Sequence, residues 1–243
     1  MTTLLSGPVQ LTAQDVFISS ATQNLPLGTY GETTDGRGFR YVKMGTVASV
    51  PGKVYQGPAE DTTNLNPSGG LSVSAAAVGA TQVTLTSSVT IAANLVAGGY
   101  LAVVITPGLG QLYRIASNTA VTAAAGCVIT LEDPIRVALT TSSKIDLKKN
   151  MYDGVVVTPA TMTNSVVGVA THIIAASEYG WLQTYGITSC LETGTGTCGT
   201  ALGVLQGGTI GSLAPAIAGT PIVGWCAGTV ITGEYGLVFL TLR

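Results

Sequence analysis

The chain has 243 residues, enough for one large β domain or two smaller ones, each with its own core. Hydrophobic residues make up 46%, which excludes a disordered chain, and charged residues only 9% against roughly 25% in an average soluble domain. The net charge of −2 gives no basic footprint for nucleic acid and no polybasic stretch for an anionic membrane, so neither partner is expected.

Residues 1–30, with Pro8 and Pro26 and few alternating runs, read as an extended N-terminal arm suited to lying on a neighbour. Met1 to Gln10 lacks a basic region followed by an apolar stretch, so no secretory signal is expected. Asp35-Gly36 is a turn dipeptide leading into Phe39–Lys43, which alternates as a half-buried strand does. Pro51-Gly52 is the next turn, before a strand at Lys53–Gln56. Residues 31–70 are therefore the first strands, expected to pack with the C-terminal unit, and Asn64–Gly70 reads as a linker.

Residues 71–149 read as a middle β domain. Gln82–Thr86 places Val83 and Leu85 on one face. Ile91–Ile105 is apolar but interrupted by Asn94 and Gly98-Gly99, so it is a strand, a turn and a strand at Tyr100–Ile105, not a membrane span. Strands follow at Leu112–Ala116 and Cys127–Glu132. Short strands separated by Gly and Pro predict an all-β protein of β-sandwich or small β-barrel units joined in one chain. Charges cluster at the end of this unit, in Glu132, Asp133, Arg136, Lys144, Asp146, Lys148, Lys149 and Asp153. The cluster reads as a solvated seam, with ion pairs between subunits as the other reading.

Residues 150–243 read as a C-terminal β domain with an internal repeat. Residues 166–184 align without gaps to 222–240. Val167, Gly168, Glu178, Tyr179 and Gly180 match Val223, Gly224, Glu234, Tyr235 and Gly236, and Val166/Ile222, Ile174/Val230 and Leu182/Val238 are similar pairs. Each copy is expected to be a strand, a turn, then Glu-Tyr-Gly opening a second strand. Two readings stand: duplication, or two hairpins that share turn chemistry. A period seen twice is too little for a solenoid.

Chemistry-bearing residues are few. The single histidine, His172, is the one base available to a Ser/His/Asp or Cys/His site, and no acid lies near it in sequence. Glu178, Glu192 and Glu234 are the candidates for paired glycosidase carboxylates, but Glu178 and Glu234 fall at matching places of the repeat. Cys127, Cys190, Cys198 and Cys226 have no zinc or redox spacing. Cys190 and Cys198 are spaced for a hairpin disulfide; the favoured reading is small apolar residues in a reducing cytosol. Gly194–Thr197 and Gly207-Gly208 do not fit a phosphate loop, and no calcium loop occurs. Trp181, Tyr179, Tyr185, Trp225 and Tyr235 are either core and contact residues, the favoured reading, or a carbohydrate platform. No catalytic, cofactor-binding or metal site, and no cofactor, is expected.

Three segments resemble tailed-bacteriophage capsid cement, or decoration, proteins: Asp35–Lys43 leading to Gly52–Gln56; Leu131–Leu139 followed by Asn150 and Gly154–Val157; and Val167–Ala170 followed by Glu178–Gln183. The resemblance implies an all-β, non-enzymatic virion protein that binds the major capsid protein on the outer surface of the head, as a homotrimer, and stabilises the shell. It implies localisation on the virion after assembly in the host cytoplasm. The alternative expectation is a phage tail or adsorption component that binds host-surface polysaccharide.

Overall fold

A computed structural model describes residues 7–205, 207–229 and 231–242. The first six residues of the expected arm, and Val230 of the repeat pair Ile174/Val230, lie outside the described residues. The chain is essentially all-β. Its strands are β1 (Val9–Leu11), β2 (Tyr30–Thr33), β3 (Gly38–Met44) and β4 (Val54–Gln56). Then come β5 (Leu71–Ser72), β6 (Gln82–Thr84), β7 (Val89–Ile91), β8 (Tyr100–Ile105), β9 (Leu112–Asn118), β10 (Val121–Ala124), β11 (Val128–Leu131) and β12 (Lys144–Lys148). Last are β13 (Asp153–Val157), β14 (Val166–Ala170), β15 (Tyr179–Leu191), β16 (Ala201–Gly203), β17 (Ala214–Pro215), β18 (Ile222–Cys226) and β19 (Tyr235–Thr241).

Two compact units result. Residues 59–150 form one, and residues 1–58 with 151–243 form the other. In the first, a six-stranded sheet runs β5-β12-β8-β9-β11-β6. Its two edge strands meet through a bridge between Val73 and Leu85, flanked by Ser74 N–H to Thr84 O (2.9 Å) and Thr86 N–H to Ser72 O (2.8 Å). One core fills the sheet, including Val83, Leu101, Ile115, Ile129 and Ile145. Residues 59–70 belong to this unit and not, as expected, to the C-terminal one. The Asp61 carboxylate accepts the Thr63 and Asn64 backbone N–H groups (3.1 and 2.9 Å), and the turn so formed seats Leu65 in the core. In the charge cluster, Glu132 pairs with Arg114 and Lys148 with Glu60, both within this unit.

The second unit is built on an eleven-stranded sheet that closes twice. Its first ring is β3-β13-β4-β14-β15, completed by β15 pairing back to β3. Its second ring uses the C-terminal half of the long strand β15, followed by β19, β18, β16 and β17. It returns to β15 through a parallel bridge between Glu192 and Leu213. Thr193 N–H to Leu213 O (2.8 Å) and Leu213 N–H to Leu191 O (2.9 Å) hold that closure.

The two rings are the same barrel twice. Strands β3, β4, β13, β14 and β15 of the first correspond in chain order to β15, β16, β17, β18 and β19 of the second, with every pairing of the same sense. Val169↔Gln183 and Ala170↔Leu182 correspond at an offset of 56 to Trp225↔Phe239 and Cys226↔Val238. With residues 59–150 taken out of the count, the same offset carries Phe39↔Gln183 and Val42↔Gly180 onto Ile187↔Phe239 and Cys190↔Gly236. The register shift in β14 against β4 recurs in β18 against β16. The parallel closure Met44↔Val155 has its counterpart in Glu192↔Leu213. The repeat legible at 166–184 and 222–240 is therefore the end of a complete five-stranded barrel, and residues 59–150 are an insertion between β4 and β13 of the first copy.

The cores match position by position. Val42, Tyr55, Val155, Val167, Ala170 and Leu182 inside the first barrel stand where Cys190, Leu202, Leu213, Val223, Cys226 and Val238 stand inside the second. The arm expected over residues 1–30 is not a free arm across its described part. β1 pairs in parallel with β2, and Leu11 and Val16 are buried against Phe39, Tyr41 and Trp181 of the first barrel. The apolar side chains of this segment suffice to hold it on its own chain.

Gly168 and Gly224 are equivalent, and at both a side chain has no room. A Cβ would stand 2.8 Å from Gln183 O at Gly168 and 2.4 Å from Phe239 O at Gly224. Gly224→Ala is expected to lower stability by about 1–3 kcal/mol in urea unfolding. Gly228→Ala, which would meet only Leu237 Cβ at 4.0 Å, should stay within about 0.5 kcal/mol. Equal effects would contradict the close approach of β18 to β19.

Candidate functional site

His172 follows β14, and its carbonyl, not its ring, receives the Ser49 hydroxyl (2.8 Å). That hydroxyl also accepts the Ile174 N–H (2.7 Å), so Ser49 braces the chain and is not paired with an imidazole base. The ring meets Phe17 edge-on at 5.9 Å between centroids. Burial lowers its pKa and so favours the neutral imidazole.

The three glutamates sit in three different settings. Glu178 accepts the Ser19 hydroxyl on the first barrel. Its equivalent on the second barrel, Glu234, is exposed. The two carbonyls do the same work, Glu178 O accepting Met44 N–H (2.8 Å) and Glu234 O accepting Glu192 N–H (2.9 Å). Their shared identity is thus a property of the repeated turn.

Glu192 differs. It occupies the place of Met44, is wholly buried, and neither carboxylate oxygen has a hydrogen-bond partner among the described residues. Gly196 makes room for it: a Cβ there would lie 3.3 Å from Glu192 Oε2 and 3.2 Å from Cys226 Sγ. Loss of hydration raises its pKa, since burial penalises the charged form.

All four cysteines are free thiols, so Cys190 and Cys198 are not bridged. Cys190 and Cys226 take the places of Val42 and Ala170 inside the barrel. Burial pushes both thiols up, and the nearby Glu192 adds to this, so neither is a ready nucleophile. The Cys226 thiol donates to Gly228 O (2.6 Å). Cys127 is buried in the inserted unit and donates to Thr119 O (3.1 Å). Among the described residues no group of three or more His, Cys, Asp or Glu is placed to hold a metal ion. No helix there is long and apolar enough to cross a membrane.

The aromatics split into two sets. Trp181 is only 5% exposed, set edge-on to Tyr41 at 5.1 Å, while Tyr41 stacks on Tyr179 at 6.2 Å. These rings, covered by residues 9–27, are packing and not a platform. The second set is open. Trp225 is 43% and Tyr235 52% exposed, and with Ile187, Leu237 and Phe239 they form the outer face of β15, β19 and β18. Tyr185 packs edge-on against Phe239 at 5.3 Å. A groove of about 520 Å3 beside this face is lined in part by Phe17, Arg37, Gln183, Ile187 and Leu237.

Ile187, Leu237 and Phe239 were not singled out by sequence reasoning. In Tyr235–Leu240 the large residues alternate with Gly236, Val238 and Leu240, which are also apolar or small, so the run reads as a strand buried on both faces. The available signal was that run's position in the repeat, opposite the Trp181 strand.

Comparison with protein-family models, with curated proteins and with solved structures gave no match. The site therefore stands on its own geometry, an uncharged apolar sheet face.

The Glu192 carboxyl binds its proton more tightly folded than unfolded, so its own contribution to stability is full below the ordinary carboxylate range and is lost as pH rises above it. Glu192→Gln keeps the shape and removes the charge. It is expected to raise stability by about 1–3 kcal/mol at pH 8 and to change little at pH 4, in thermal unfolding at the two pH values. A variant less stable than the parent at pH 8 would show that Glu192 has a partner.

Proposed function

We propose that the chain is a structural subunit of a virion, a cement or decoration protein that binds the outer surface of a tailed-phage head through the major capsid protein and strengthens the shell. The observation that carries this reading is the face of exposed Ile187, Trp225, Tyr235 and Leu237 around half-buried Phe239, on a chain whose charged content is 9%. Isolated proteins rarely leave a contiguous apolar patch of this kind open, and such patches mark interaction surfaces. An uncharged Thr, Ser, Val and Ala surface is buried without the desolvation cost of ions. Symmetric repetition on a particle multiplies modest contacts. The family resemblance in Asp35–Lys43, Leu131–Leu139 and Glu178–Gln183 supports the head as the location.

A second reading, a tail or adsorption component binding host polysaccharide, is favoured by one observation: Trp225 is open enough to stack on a sugar ring. Trp181, its expected partner in that role, is covered and drops out of it. On this reading Trp225→Ala abolishes polysaccharide binding and Trp181→Ala acts only through stability.

The readings separate on particles. Gold-labelled antibody against the chain is applied to virions of its phage and imaged by electron microscopy. Label over the outer head is expected. Label on the tail supports the adsorption reading, and absence of label from purified particles contradicts both.

A further inference from the structure

The inserted unit, residues 59–150, has a polar hollow of its own. β12, β8 and β9 are neighbours inside its six-stranded sheet. Their register lines up Lys148, Tyr100 and Arg114 in one row and Asp146, Ala102 and Leu112 in the next. The residues between, Ile145, Leu147, Leu101, Val103 and Tyr113, point into the core, so both rows lie on the outer face. Ala102 is small, and a hollow of about 310 Å3 opens over it between Asp146, Leu112 and Tyr100. Asn66, carried in by the turn that seats Leu65, also lines it. Tyr100 is 42% and Leu112 55% exposed.

Two acceptors in the hollow are unmet. Asp146 Oδ1 and Asn66 Oδ1 are shielded from solvent, and neither has a donor among the described residues. The cations of this face are engaged elsewhere: Lys148 with Glu60, Lys144 with the Ser72 hydroxyl and Arg114 with Glu132. Burial raises the Asp146 pKa. A buried acceptor without a donor costs stability, and a ligand that brings the donor removes that cost.

The chemistry of the walls selects the occupant. A phosphate, sulfate or carboxylate would face the Asp146 carboxylate. An ammonium group would sit between Lys144 and Lys148, two residues to either side of Asp146 on the same face. A peptide adding as a strand needs a free edge, and β12, β8 and β9 are each paired on both sides. A wholly apolar ligand leaves both acceptors unmet. A neutral molecule with several hydroxyls and one apolar face meets every wall. Its hydroxyls donate to Asp146 Oδ1 and Asn66 Oδ1, and its C–H face lies against Tyr100 and Leu112. A sugar ring has this combination.

We propose that the hollow of the inserted unit binds a neutral glycan, with one sugar residue seated among Asp146, Asn66, Tyr100 and Leu112. The site lies on a different unit from the face of β15, β18 and β19. It rests on neither reading of that face, and it differs in place from a platform at Trp225.

The labelled full chain is applied to an array of immobilised oligosaccharides: neutral ones of glucose, galactose, mannose and N-acetylglucosamine, with sialylated and sulfated ones alongside. Binding to a neutral oligosaccharide is expected. With that oligosaccharide in solution, Asp146→Ala and Tyr100→Ala, each at the parent's thermal unfolding midpoint, are expected to weaken binding about tenfold or more in isothermal titration. Leu109→Ala, at an exposed site elsewhere in the inserted unit, should bind as the parent does. Should Asp146→Ala fail to fold, Asn66→Ala removes the other acceptor and carries the same expectation. A parent that binds no neutral glycan, or only sialylated or sulfated ones, overturns the proposal. So do hollow variants that bind as well as the parent, including the case in which Trp225→Ala alone loses binding. Glycan binding through this hollow by a chain found only on the outer head upholds the proposal and contradicts only the adsorption reading.

Discussion

Strand β15 is the constraint on which residues 1–58 and 151–243 depend. Its N-terminal half pairs with β3 and β14 and closes the first barrel, and its C-terminal half pairs with β19 and closes the second. Between the halves the register shifts at Gln183–Tyr185, and Gly186 sits at φ +87°. An extra residue with a left-handed glycine bends a strand and sharpens its twist, which is what passage from one ring into the next requires. Arg37 packs 3.1 Å from where a Gly186 Cβ would stand, so the bend is also closed in sterically. Two small barrels that share a strand bury more of their apolar interior together than either does alone, and each lacks a closing edge without β15.

Duplication places chemistry-bearing residues in a different light from motif spacing. Glu178 and Glu234 are turn residues repeated with the turn. Cys190, Cys226 and Glu192 replace Val42, Ala170 and Met44 at core positions that a plain barrel fills with hydrocarbon. The thiols are tolerated as small apolar groups. The buried carboxylate is a cost to the folded chain once it is ionised.

Much of the fold was legible in the sequence, for a physical reason. Alternation with Gly and Pro punctuation located Tyr100–Ile105 to the residue and β3, β4, β6, β9, β11 and β19 within two residues, because short antiparallel strands are set by local pattern, while β15 was read as Trp181–Tyr185 and the shortest strands were not read at all. The repeat was visible only at 166–184 and 222–240. The residues of β4 and β16 keep their pairing but not their identities, and an inserted unit of residues 59–150 divides the first copy. The arm was misread because Val9, Leu11 and Val16 have no clean period, yet what buries them is a face that forms only once β3 and β15 pair. The exposed face was illegible for the complementary reason: a strand apolar on both sides looks buried, and sequence does not tell which cover is missing.

Native-state hydrogen exchange of the full chain tests the shared strand most directly. The backbone amides of Gly180–Leu191 that are paired across both barrels are followed as denaturant is added. The account predicts that protected amides on both sides of Gly186 merge into one opening, with one free energy, because neither barrel opens without β15. Opening of the 187–191 amides together with β18 and β19 at a lower free energy, while the 180–184 amides stay protected with β3, would contradict it and make the barrels independent neighbours.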